Sequence, residues 1–141
     1  MDSTSSSVVS NAPTYEERPA RLAVEILLLM PCPATPAGLA AAARGSWRAR
    51  TGVLRSTALA GLARGQRDGI WQSEDLDQLI EQTATESNEL IRAAALAHVL
   101  ATASDEDRPA LLAAVASDPS PLVRRLLAVE DLVMEPSNDQ P

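Results

Sequence analysis

Glu86-Ser87-Asn88-Glu89-Leu90-Ile91-Arg92 and Asp118-Pro119-Ser120-Pro121-Leu122-Val123-Arg124 decide the fold. Each starts with an acid, crosses a short polar turn, and reaches an apolar pair followed by Arg six residues after the acid. The two lie 32 residues apart, counted from Glu86 to Asp118. The register extends on both sides. Glu74 meets Glu106, Asp75 meets Asp107, Leu79 meets Leu111, Ile80 meets Leu112, Ala84 meets Ala116, and Leu100 meets Leu132. A weaker third copy lies upstream, where Val53-Leu54-Arg55 matches Leu90-Ile91-Arg92 at an offset of 37, and Ala58 and Leu59 match Ala95 and Leu96. The five extra residues are assigned to a loop at Gly65-Gln66-Arg67-Asp68-Gly69. A repeat of about 30 to 40 residues built from two helices is the mark of an α-solenoid, because one hairpin cannot bury its own apolar face.

Helical periodicity along the chain predicts seven helices, over 18–30, 36–48, 51–65, 73–85, 88–103, 107–117 and 120–134. Thr35-Pro36 and Ser120-Pro121 each set a capping hydroxyl before a proline suited to a first helical turn. Ser73 stands before Glu74 and Asp75, acids that complement a helix N-terminus. Ser104 and Asp107 are alternative caps for the sixth helix. The expected fold class is all-α: a short α-solenoid of about three hairpins with an N-terminal capping helix, or else a compact helical bundle made from the same hairpins. Residues 1–13 read as a flexible tail, 14–134 as the helical repeat domain, and 135–141 as a second tail.

Composition agrees with that class. Of 141 residues, 25 are Ala and 19 are Leu, whereas aromatics make up 2%, a poor mixture for β-sheet. The single cysteine, Cys32 between Pro31 and Pro33, excludes an internal disulfide framework and a multi-cysteine zinc site. The 12 cations are all Arg, which with the abundant Ala suggests codon bias from a GC-rich genome. The apolar run Ile26-Leu27-Leu28-Leu29-Met30 follows Glu25 and stops at Pro31, too short for a membrane span and unlike a secretory leader. The expected location is the cytoplasm, with no membrane partner.

The acid-turn-Arg unit resembles HEAT repeats, especially the short bacterial kind similar to those of phycobilisome-lyase-like proteins. The resemblance covers about residues 36–134; it departs from the pattern at Ala49, which stands where the turn acid before Arg55 belongs. The resemblance implies that turn acid and helix Arg form a ladder between neighbouring units. That gives Glu86, Arg92, Asp118 and Arg124 a structural role. A guanidinium, with five donors in a fixed fork, suits bridging a carboxylate and the open backbone groups of a turn.

Charge is uneven along the chain. Residues 18–67 carry eight Arg and one Glu, whereas residues 68–141 carry four Arg and fifteen acids. The basic part holds Arg44-Gly45-Ser46-Trp47-Arg48-Ala49-Arg50, with Arg55, Arg64 and Arg67 nearby. Arg44, Trp47, Arg48 and Arg50 form the candidate partner-binding site, since Arg and Trp dominate binding hot spots. The bland alternative is a helix C-terminus, where cations are favoured, with Trp47 packed in the core.

No catalytic residue is assigned. His98 is the only histidine, with no nucleophile motif placed to use it, and reads as structural. Trp71 anchors the loop after Gly69. Asp105-Glu106-Asp107 lacks calcium-loop spacing, and the chain has no Walker Lys. No metal or cofactor is expected. The reading is a non-enzymatic protein-binding adaptor. Its alternatives are a nucleic-acid-binding HEAT-like protein using residues 44–67, and a lyase-like or chromophore chaperone by analogy. The contrast between basic and acidic halves also suggests self-association, head to tail.

Overall fold

The computed structural model describes residues 10, 11, 14–46 and 49–128. Among these residues are seven α-helices and no strand: α1 (Arg18–Leu29), α2 (Thr35–Ala43), α3 (Gly52–Arg67), α4 (Leu76–Thr83), α5 (Glu89–Thr102), α6 (Arg108–Ala116) and α7 (Pro121–Arg124). A 3-10 turn over Tyr15–Glu17 leads into α1. The helices form three hairpins, α2–α3, α4–α5 and α6–α7. Second helices pack side by side, α3 on α5 and α5 on α7, while α1 packs on α2 and α3 at the start of the stack. The fold is the expected all-α class. Of the expected seventh helix, residues beyond 128 lie outside the described residues, as does the tail 135–141.

Apolar spacing explains which faces are inside. In α4, Leu76, Leu79, Ile80 and Thr83 recur at three- and four-residue steps and are all buried. The Ala-rich α2 is buried on nearly every side, at Thr35, Gly38, Leu39, Ala40, Ala42 and Ala43, because α1 and α3 cover it. Small side chains allow that close approach. The larger core runs from Ala20 and Val24 of α1 through Leu39, Leu59, Leu62, Leu76 and Leu79 to Ala95 of α5. A second cluster, Leu100, Val115 and Val123, lies among α5, α6 and α7. Helix α5 therefore serves two cores. Each fully buried Leu or Val contributes about 1.5–3 kcal/mol, against about 1 kcal/mol for a typical hydrogen bond, so burial drives the stacking and polar contacts set its register.

Several expected boundaries are corrected. Helix α2 stops at Ala43, not at 48, and α3 runs to Arg67, not 65. Gly45 (φ +96°) and Gly69 (φ +77°) follow these two ends in the left-handed region that glycine adopts without strain. Gly65-Gln66-Arg67 is thus helix rather than loop, and Gly65 is buried where the Trp71 ring lies against it. The five extra residues of the first repeat are shared between a longer α3 and a longer α3–α4 connection. Thr35 is not a cap: it occupies the first turn of α2 and accepts the Cys32 N–H at 2.8 Å. Ser73 does not cap α4 either, since that helix begins at Leu76 and the Ser73 N–H is bonded to Gln66 Oε1 at 2.8 Å. Before α6, the Ser104 hydroxyl accepts the Asp107 N–H at 3.2 Å, whereas Asp107 makes no side-chain cap. Residues Ser10 and Asn11, expected within a free tail, are held against α3 and α5.

Candidate interaction surface at the turn edge

The turns inside the three hairpins, residues 44–51, 84–88 and 117–120, are each closed by the cap of a second helix. Thr51, Asn88 and Ser120 occupy equivalent positions, four residues before Arg55, Arg92 and Arg124. All three have extended backbone, and their side-chain oxygens accept helix N–H groups: Leu54 for Thr51, Leu90 and Ile91 for Asn88, Leu122 and Val123 for Ser120. A cap of this kind contributes about 1 kcal/mol.

The three arginines then close the turns. Arg55 Nε donates to Ala43 O at 2.8 Å, Arg92 donates to Glu86 O at 2.7 Å and Ser87 O at 3.1 Å, and Arg124 donates to Asp118 O at 2.7 Å. These are carbonyls that a helix end or turn leaves open. Two of the arginines also reach forward to the next hairpin. Arg92 grips Asp118 with both arms of its fork, at 2.8 Å each, and Arg55 meets Glu86 at 3.6 Å. The bidentate bond to Arg92 holds the Asp118 carboxyl below its ordinary range and raises Arg92. Glu86, Arg92, Asp118 and Arg124 are therefore brought together at one edge. Arg55, aligned with Arg92 in the weaker third copy and also placed near the basic cluster, joins them. Its spacing from Thr51, equal to that of Arg92 from Asn88, is the signal that identifies it.

The first turn lacks its own acid, and Glu17 supplies one from the 3-10 turn before α1. Its side chain is buried and accepts Arg50 N–H at 2.5 Å, Thr51 N–H at 2.6 Å and the Thr51 hydroxyl at 2.6 Å. Asp118 does the corresponding work locally, accepting Ser120 N–H at 2.9 Å. Asn11 is a second long-range contributor. Its Oδ1 accepts from Asn88 Nδ2 at 2.6 Å, and Ser10 O accepts the Gly52 N–H at 2.6 Å. Gly52 lies so close to Asn11 that a Cβ there would collide with the amide. No local pattern marks Glu17 or Asn11, because their partners are remote in the chain.

Of the predicted binding residues, Arg44 and Arg50 are exposed on the α2–α3 turn; Trp47 and Arg48 lie outside the described residues. Arg44 is 3.3 Å from Asp75, with side chains 40% and 59% exposed. An ion pair this exposed is worth about 0–1 kcal/mol and exchanges readily for another carboxylate. The Arg50 backbone is fixed by Glu17, and its side chain has no ion-pair partner among the described residues. Arg64 pairs with Asp68 one helical turn on, at 3.6 Å. Arg67 donates to His98 Nδ1 at 2.7 Å, which requires that nitrogen unprotonated. Burial and the Arg67 charge lower the His98 pKa, opposed by Asp77. Trp71 donates its indole N–H to Leu62 O at 3.0 Å and packs on the larger core.

Among the described residues no three His, Cys, Asp or Glu side chains come together as a metal site. No helix among them is long and apolar enough to cross a membrane. Comparisons with protein-family models, curated proteins and solved structures give no match.

Proposed function

We propose that this chain is a HEAT-like helical-repeat module that binds another protein and performs no catalysis, with the α2–α3 turn as its contact site. The observation that carries this reading is the length and content of that turn. It spans residues 44–51, against 84–88 and 117–120 in the other hairpins, although the same cap and the same arginine close all three. The other two hairpins close with fewer residues. The longer turn carries Arg44, Trp47, Arg48 and Arg50, a composition suited to a partner surface bearing carboxylates. Glu17 fixes the backbone at Arg50, so the main chain there has little freedom left to lose on binding. A cytoplasmic location and a bacterial origin belong to the same proposal and rest on the sequence features given above.

The test is affinity capture from lysate with the wild-type chain and with an Arg44→Glu/Arg48→Glu/Arg50→Glu variant, each with and without nuclease. Circular dichroism checks that both baits are folded. A protein that survives nuclease and is lost with the variant supports the adaptor and its site. Recovery that vanishes with nuclease supports a nucleic-acid partner instead, and its affinity should then fall steeply with salt. Equal recovery by both baits removes the turn as the site.

A further inference from the structure

Helix α1 buries one face and leaves an apolar stripe on the other. Ala20 and Val24 are buried against α2 and α3. On the far side Leu22, Ile26, Leu29 and Met30 are 51%, 52%, 80% and 69% exposed. Their spacing of three and four residues, with Met30 beside Leu29, makes them one continuous strip rather than scattered apolar residues. They are four of the seven large hydrophobic residues exposed among the described residues. A contiguous apolar patch of this kind marks an interaction surface.

The charges along the strip indicate what covers it. Arg18, Arg21 and Glu25 run along one edge of the helix, cations toward its N-terminus and the acid one turn further on. Arg18 lies over the Tyr15 ring at 5.9 Å. Arg21 and Glu25 are exposed and have no ion-pair partner among the described residues. When two identical helices pack antiparallel, like edges meet and N-terminal positions face C-terminal ones. Arg21 of each copy then faces Glu25 of the other, while Leu22 and Ile26 of the two copies interleave. Parallel pairing sets the charged edge against the opposite, uncharged one and satisfies neither group.

We infer that α1 is the self-association face of this protein, pairing with α1 of a second copy in an antiparallel, two-fold dimer through Leu22, Ile26 and Leu29, with reciprocal Arg21–Glu25 ion pairs. Such an interface uses the same patch on both copies and closes at two. It therefore differs from the head-to-tail contact that the basic and acidic halves suggest, which would continue into a filament or ring. It does not depend on the adaptor reading.

Sedimentation equilibrium of the full chain, over micromolar to millimolar concentrations, tests this. The expected result is a monomer–dimer equilibrium with no larger species. Ile26→Glu should give a monomer throughout, with helical circular dichroism unchanged. Arg21→Glu and Glu25→Arg should each raise the dimer Kd on the order of tenfold, since two exposed pairs turn repulsive. The double reversal should return the Kd to within about threefold of wild type, because it restores both reciprocal pairs. This charge series decides the matter even where Ile26→Glu perturbs folding. A wild-type chain that stays monomeric, mass that grows beyond the dimer, or a dimer indifferent to the reversals would each overturn the inference.

Discussion

The α2–α3 and α6–α7 turns solve one problem in two ways. Each must supply a carboxylate to the backbone N–H of the residue that caps the next helix. In the α6–α7 turn Asp118 does this from two residues away, and the same carboxylate receives Arg92 of the preceding hairpin. In the α2–α3 turn the local position is Ala49, buried and apolar, and Glu17 reaches in from before α1. The first arrangement joins consecutive hairpins. The second joins a single helix to the stack. With Ala49 at the local position, the carboxylate for the first turn comes from Glu17, and α1 is tied to the stack by the same bonds.

That contrast predicts different losses when the acids are removed. Glu17→Ala leaves two N–H groups and a hydroxyl without their acceptor and loosens α1, at an expected cost of about 3–5 kcal/mol. Asp118→Ala strands a half-buried guanidinium that keeps two carbonyl partners, at about 2–3 kcal/mol. Urea denaturation measures both. A smaller loss for Glu17→Ala than for Asp118→Ala would mean that the distant acid is dispensable and that packing alone docks α1.

The cap edge shows the same division at a neighbouring position. In the third hairpin the Ser120 hydroxyl is bonded to Glu89, the first residue of α5. The equivalent first residue of α3 is Gly52, and Asn11 stands in for the side chain it lacks. Gly52→Ala should therefore destabilise the chain by about 1–3 kcal/mol, although alanine is the better helix former. In an Asn11→Gly background that penalty should shrink without vanishing, because Asn88 also crowds the site. Additive losses in this double-mutant cycle would show that Asn11 is not the obstacle.

Acid titration separates the ladder from the His98 contact. The Asp118 pKa is lowered in the folded chain, chiefly by its bond to Arg92. Its stabilisation is complete above the ordinary carboxyl value of 3.8 and is lost as pH falls through the lower folded value. His98 is also lowered, from 6.5, mainly by burial. Its contribution is full above pH 6.5 and is lost as pH falls through its folded value. Stability should thus decline in two steps. Asp118→Asn should remove the more acidic one and His98→Gln the other. A single step, unchanged in both variants, would place the titrating groups elsewhere.

The sequence made the second and third hairpins legible because their information is local. An acid, a cap and an Arg recur within seven residues, and that spacing carries both the fold and the ladder. Arg55 was harder to place, since its partner acid belongs to the next hairpin and its neighbours are a run of other arginines. Glu17 and Asn11 were not legible at all: their roles depend on chain segments more than thirty residues away in sequence, which periodicity does not record. The glycines at 65 and 69 look alike in sequence, yet one is a packing contact inside a helix and the other a helix stop. For the candidate site, the cluster of arginines was visible, but its division into Arg55 at the ladder and Arg44 and Arg50 at the surface depends on tertiary contacts.

The middle turn offers the finest form of the comparison. Glu86 occupies the position of Asp118 but is one methylene longer. It meets Arg55 at 3.6 Å, where Asp118 meets Arg92 twice at 2.8 Å. Asp118 is held by the Ser120 N–H, and a short side chain is what permits that local bond. Glu86→Asp should let the carboxylate accept the Asn88 N–H in the same way. Stability should then rise by about 0.5 kcal/mol, as one more hydrogen bond is offset by a longer reach to Arg55. The reciprocal Asp118→Glu should lose about 1 kcal/mol, since it gives up the turn bond and one arm of the fork. Opposite signs for the two swaps would show that side-chain length at this position sets the strength of each rung. Equal signs would assign the difference to the proline residues that flank Ser120 in the third turn and are missing from the second.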